Sequence, residues 1–97
     1  MLFLAYCEDI PGTDDKRAAL REQHMSYLNA TPAVVVLGGA TFDAGDARVG
    51  SCMIVDAADY ASAKTWFENE PWSKAGLFKS MSVTRVQKGV WHPELVA

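Results

Sequence analysis

The chain opens on a short apolar run, Leu2-Phe3-Leu4-Ala5-Tyr6-Cys7, stopped by Glu8-Asp9 and the turn pair Pro11-Gly12, which predicts a strand over 2–7. Thr13-Asp14-Asp15 then sets a capping hydroxyl and two acids where a helix dipole favours them, and the helix they open is expected to reach about Asn29. It stops ahead of Thr31-Pro32, because the residue before a proline is pushed out of helical backbone. Ala33-Val34-Val35-Val36-Leu37 is a β-branched run and predicts a second strand, ended by Gly38-Gly39. Residues 42–49 are polar and turn-rich and read as a loop, and Ser51-Cys52-Met53-Ile54-Val55 as a third strand. Asp56-Ala57-Ala58-Asp59 resembles a capping box with aspartate in place of the usual glutamate, launching a second helix through Glu68 or Asn69. Pro71 begins a short irregular or helical piece to Gly76. Leu77 or Phe78 then leads into a last strand, Met81-Ser82-Val83-Thr84-Arg85-Val86, whose alternation suits one buried face.

The order βαββαβ is that of the ferredoxin-like, split βαβ arrangement, an α+β fold with a four-stranded antiparallel sheet. Both helices then cover one face of the sheet, and the other face is left bare with apolar side chains from every strand. Exposed apolar area of that extent marks interfaces, so a homodimer joined sheet to sheet is expected. No repeats or linkers interrupt the pattern, and residues 1–97 read as a single domain with a tail over about 89–97.

Composition narrows the function classes. Acids and bases are interspersed at a net charge of −3 without a basic stripe, so nucleic acid is not an expected partner. The apolar start is too brief for a membrane span and lacks the basic leader of a signal peptide, so a cytoplasmic protein with no membrane partner is expected. Cys7 and Cys52 lack Cys-x-x-Cys spacing and read as buried reduced thiols, and with His24 and His92 they offer no zinc-ligand pattern.

The chemistry lies on the first helix. At about 100° per residue, Leu20, Met25 and Leu28 define its apolar arc, yet Arg17, Arg21 and His24 project within that arc. An inward guanidinium needs a partner or a solvated cavity. Asn69-Glu70-Pro71-Trp72 brings a carboxylate and an indole to the end of the next helix, where they can reach the same space. The functional reading is a small pocket in which His24 acts as general acid or base, Glu70 orients it, and Trp72 forms a wall. The plainer alternative is a satisfied core histidine with arginines at a helix edge and an ordinary acid before a proline. Ser51, with no Gly-x-Ser-x-Gly elbow around it, reads as a structural residue at the strand start and not as a nucleophile; in the functional reading it donates a hydrogen bond to the ligand.

The opening strand Leu2-Phe3-Leu4-Ala5-Tyr6, the Arg21-x-x-His24-x-x-x-Leu28 helix, Gly38-Gly39, Gly50-Ser51, the Asp56-to-Trp66 segment, and Glu70-Pro71-Trp72 with Ala75-Gly76-Leu77-Phe78 together resemble the YCII-related family over nearly the whole chain. That resemblance implies a dimeric α+β barrel with a pocket between helices and sheet, and a His–carboxylate dyad carried by His24 and Glu70. Glutamate stands here where most relatives have aspartate, and Ala40 where many have proline. It also implies a lyase-type reaction such as dehydrochlorination of a hydroxyquinol. The expected enzyme moves a proton on a small anionic or phenolic metabolite. His24 and Glu70 are its catalytic groups, and Arg21, Ser51 and Trp72 bind the ligand, with no metal or organic cofactor required. Two other classes stay open: a non-catalytic small-molecule-binding protein and a structural dimer.

Overall fold

A computed structural model describes residues 1–30 and 34–96. Its sheet comprises β1 (Leu2–Asp9), β2 (Val35–Phe42), β3 (Arg48–Asp56) and β4 (Phe78–Val86), in the order β2-β3-β1-β4 with every neighbouring pair antiparallel. The helices are α1 (Asp14–Ala19), α2 (Arg21–Leu28), α3 (Tyr60–Glu68) and α4 (Pro71–Lys74), and a 3₁₀ turn, Pro93–Leu95, closes the tail. The expected α+β, ferredoxin-like architecture is therefore present.

Register assigns the two faces. Phe3, Ala5 and Cys7 alternate onto one side of β1 and are buried there with Val55, beneath Ala63 and Phe67 of α3. Leu4 and Tyr6 point the other way, beside Cys52 and Ile54 of β3 and Leu37 and Gly39 of β2. On that uncovered face β4 contributes Ser80, Ser82 and Thr84 with only Val86 apolar, so the expectation of apolar residues from every strand fails at this edge.

Several boundaries differ from expectation. The single helix over 13–29 is two helices, broken at Leu20 where the backbone turns to φ −103° and ψ 4°. The predicted stop at Thr31-Pro32 and the strand start at Ala33 lie outside the described residues. The second strand does not end at Gly38-Gly39, because pairing with Met53 and Cys52 carries it on to Phe42 and overrides the weak strand preference of glycine. The loop over 42–49 shrinks accordingly to the turn 43–47, which Asp43 closes by accepting from the amides of Gly45 and Ala47. The second helix is capped by Asp59, whose carboxylate accepts from the Ser62 amide, and not by Asp56, which ends β3 and pairs with the N-terminal ammonium. Cys52 is only half-buried, since it sits on the uncovered face, and both cysteines are free.

Candidate functional site

Four polar or charged residues are buried among those described, Arg17, His24, Ser51 and Glu70. All four gather on the helix-covered side of the sheet. Polar side chains are rarely taken out of water without partners, so this grouping needs an account residue by residue.

Glu70 and Trp72 are placed by α4, a helix of one turn. Pro71 starts it with preset φ, Glu70 caps it by accepting from the Ser73 amide through Oε2 at 3.3 Å, and Gly76 ends it at φ +76°. The Gly76 amide donates to Ser73 and the Leu77 amide to Trp72, the paired bonds of a Schellman ending. Oε1 of Glu70 remains free of the cap, and Nδ1 of His24 meets it. Both oxygens of the glutamate are thereby used, one to start a helix and one to hold an imidazole.

His24 comes from α2. Its ring lies flat on Trp72, with centroids 3.4 Å apart and planes within 6°. With Nδ1 donating to Glu70, the neutral tautomer has Nε2 unprotonated, and Nε2 makes no hydrogen bond among the described residues. That is the form of imidazole that accepts a proton.

A second polar group adjoins the same indole. The guanidinium carbons of Arg17 and Arg48 lie over Trp72, 5.3 and 5.6 Å from its ring centroid. Arg17 pairs with Asp9 and, at 3.1 Å, with the exposed Asp14. Arg48 donates to Ser51 Oγ at 3.1 Å and stands 3.9 Å from Asp9. Two local features bring Arg48 here. Thr41 pairs with Gly50 and Phe42 with Arg48, so one extra residue bulges β3 and turns Arg48 to the face of Ser51. Gly50 allows the close approach of β1, since a Cβ there would sit 1.9 Å from the Cys7 carbonyl oxygen.

These groups border a cavity of about 390 Å³ between α2, α4 and the sheet, within the usual range for a small-molecule pocket. Ala5, Met25, Leu28, Val35, Met53, Phe67, Phe78 and Met81 make its walls largely apolar, and His24, Glu70, Ser51, Trp72, Arg21 and Arg48 supply the polar points. Cys7 also borders it, but burial, reinforced by the charges of Glu70 and Asp9, pushes its thiol up to about 12. It stays protonated and unreactive at neutral pH. Among the described residues no three His, Cys, Asp or Glu side chains cluster as metal ligands.

The structure therefore brings His24, Glu70, Ser51 and Trp72 to one cavity. Arg21 is at its rim and exposed, contrary to its expected inward position. The break at Leu20 shifts the helical phase between Arg17 and Arg21, leaving Arg17 as the buried guanidinium. Sequence reasoning missed Asp9 and Arg48 altogether, because it read the first as a strand stop and the second as loop. No helix among the described residues is long and apolar enough to cross a membrane.

A family model of the YCII-related domain matches residues 1–87. The chain belongs to the YCII-related family. It is 29% identical to an uncharacterized protein of Haemophilus influenzae over 91% of this chain and 98% of that one. Among solved structures it is similar to the 5-chloro-2-hydroxyhydroquinone dehydrochlorinase of Burkholderia phenoliruptrix, in complex with 2,5-dihydroxybenzoquinone. That match has a TM-score of 0.81 and 35% identity, covering 92% of this chain and 96% of the other. A Pseudomonas aeruginosa protein shares the fold at a TM-score of 0.52 and 14% identity, covering 92% of this chain and 93% of that chain.

Proposed function

We propose that this YCII-family protein is a lyase- or isomerase-type enzyme in which His24 moves protons on a small phenolic or anionic metabolite. The observation that carries the reading is the buried contact of His24 Nδ1 with Glu70 at the wall of a cavity large enough for a small aromatic molecule. A buried, oriented imidazole with a free second nitrogen is the arrangement general acid–base catalysis uses. The likeness to a dehydrochlorinase bound to a hydroxyquinone supports the substrate class.

On a chlorinated hydroxyquinol the steps balance as follows. His24 Nε2 takes the proton of one ring hydroxyl and returns it to the chlorine-bearing carbon, as that oxygen becomes a carbonyl. A second hydroxyl then gives up its proton, and the carbon–chlorine bond breaks with chloride taking the electron pair. The product is a hydroxyquinone, with one proton and one chloride released. Glu70 holds the tautomer and stabilises the imidazolium, Trp72 and Ser51 position the ring, and Arg21 at the rim attracts the anion.

The second protomer belongs to the same reading. Tyr6 and Leu37 are exposed on the uncovered sheet face beside half-buried Leu4 and Ile54, and we take this face as the seam of a homodimer. A monomer by light scattering at micromolar concentration overturns it.

The deciding experiment offers 5-chloro-2-hydroxyhydroquinone to the wild type, to His24→Ala and to Glu70→Gln, following chloride release. The wild type turns over, the histidine variant loses about 10²–10⁴-fold and the glutamine variant less. Binding of the compound without chemical change points instead to a non-catalytic binding protein, and absence of binding overturns the reading.

A further inference from the structure

Asp9, Arg17 and Arg48 form a charge cluster that does not balance. Among the described residues Asp9 is the one largely buried carboxylate paired with either guanidinium group, since the other acid on Arg17, Asp14, is 94% exposed and screened by water. Arg17 is claimed by both acids and does not border the cavity. Arg48 does border it, and its contact with Asp9 at 3.9 Å is at the outer limit of an ion pair. One positive charge is thus left over, and it is at the cavity wall.

Unused donors point the same way. Nε of Arg48 and Nε1 of Trp72 are buried without a hydrogen-bond partner among the described residues, and both residues line the cavity. A buried donor left unsatisfied loses the hydration it had in the unfolded chain, and Trp72 is more than nine-tenths buried. Burial and the neighbouring Arg17 hold the Arg48 guanidinium below its usual value, and the carboxylates of Asp9 and Asp14 offset this only in part. An anion bound against Arg48 at the cavity wall supplies the counter-charge that its long contact with Asp9 provides only weakly.

We infer that Arg48, steadied by Ser51, is the oxyanion-binding and specificity-determining residue of this cavity, and that its ligand is a single ring bearing an ionised oxygen. The inference rests on the cavity being a ligand site, and it moves the anion contact from the rim residue Arg21 to the floor. Arg48 and His24 both line the cavity and both lie against the indole of Trp72, so a ring with its oxyanion on Arg48 shares the cavity with the imidazole. Arg21 is exposed, and an exposed charge steers a ligand more than it fixes one. Ser51 acts as a positioning residue, holding Nη2 of Arg48 at 3.1 Å. Asp9 keeps Arg17 from competing for the same anion.

The test measures binding by fluorine NMR with two probes of equal size, pentafluorophenolate, which is ionised at neutral pH, and pentafluoroaniline, which is not. The wild-type protein binds the phenolate more tightly. Arg48→Met weakens phenolate binding about tenfold or more and leaves the aniline within about twofold, because a charge-assisted bond is lost and little volume changes. Arg48→Lys retains part of the preference, and serves if the methionine variant does not fold, since a point charge replaces the fork. Arg21→Met changes phenolate affinity about threefold or less. A preference that survives Arg48→Met, or that vanishes in Arg21→Met, overturns the assignment. Equal affinity of the wild type for both probes overturns Arg48 while leaving the cavity a ligand site, whereas no binding of either probe overturns both readings.

Discussion

The two halves of the helix layer cover the same sheet face by opposite means. Under α3 the space is filled, with Ala63 and Phe67 packed on Phe3, Ala5 and Val55 in a continuous apolar core. Under α1 and α2 the buried positions are Arg17 and His24, α2 packs chiefly on α4, and a cavity separates it from the strands. One half is close-packed and carries the cohesion of the domain. The other is hollow, and its polar groups are held by specific partners. Close packing and buried polar groups are thus assigned to different helices, so substitutions on the two sides should fail in different ways.

The largest effect is expected from the filled half. Phe3→Ala should cost about 3–5 kcal/mol in urea denaturation, because its ring is fully enclosed by the core and leaves a void. If Phe3→Ala costs less than about 1 kcal/mol, the core has been misplaced. Comparable damage in the hollow half requires breaking its ion pair. Asp9→Ala strands the buried Arg17 and should cost about 3–5 kcal/mol, and most of this should return in the Asp9→Leu/Arg17→Met double variant. Failure of the double variant to recover would mean that Arg17 is held by packing and not by charge.

Smaller effects sharpen the contrast further. The Cys7 thiol, raised to about 12, should resist alkylation of the native protein at pH 9 while the half-buried Cys52 reacts first. The sign of the linkage follows from the raised value. Its stabilisation is complete below the ordinary thiol range near 9 and is lost as pH climbs toward 12, because the unfolded chain ionises first. Unfolding midpoints that stay flat from pH 8 to pH 11 would contradict this. The smallest change is expected at the seam between the halves. Tyr27 of α2 donates to the Trp66 carbonyl at 2.8 Å, so Tyr27→Phe should cost about 1 kcal/mol without altering ligand binding.

The site was legible where it depended on local spacing. His24 could be read from an apolar arc that it interrupts, and Glu70 and Trp72 from a proline-initiated turn, since caps and periodicity are written within a few residues. Arg21 was misplaced because the wheel assumed an unbroken helix through Leu20. Arg48 went unread because residues 42–49 read as a loop, and even within a strand strict alternation would put it and Ser51, three positions apart, on opposite faces. The bulge at the end of β3 reverses that parity, and no composition signal near Val49-Gly50 announces it except the glycine itself.

Local chemistry alone therefore determined the order of strands and helices and the two residues of the imidazole–carboxylate pair. Residues within one turn or one pleat of each other share a direction whatever the rest of the chain does. Which arginine is buried, which one borders the cavity and where the surplus charge lies were decided only by tertiary packing. Those outcomes turn on a helix break and a strand bulge, and both are set by how distant segments pair.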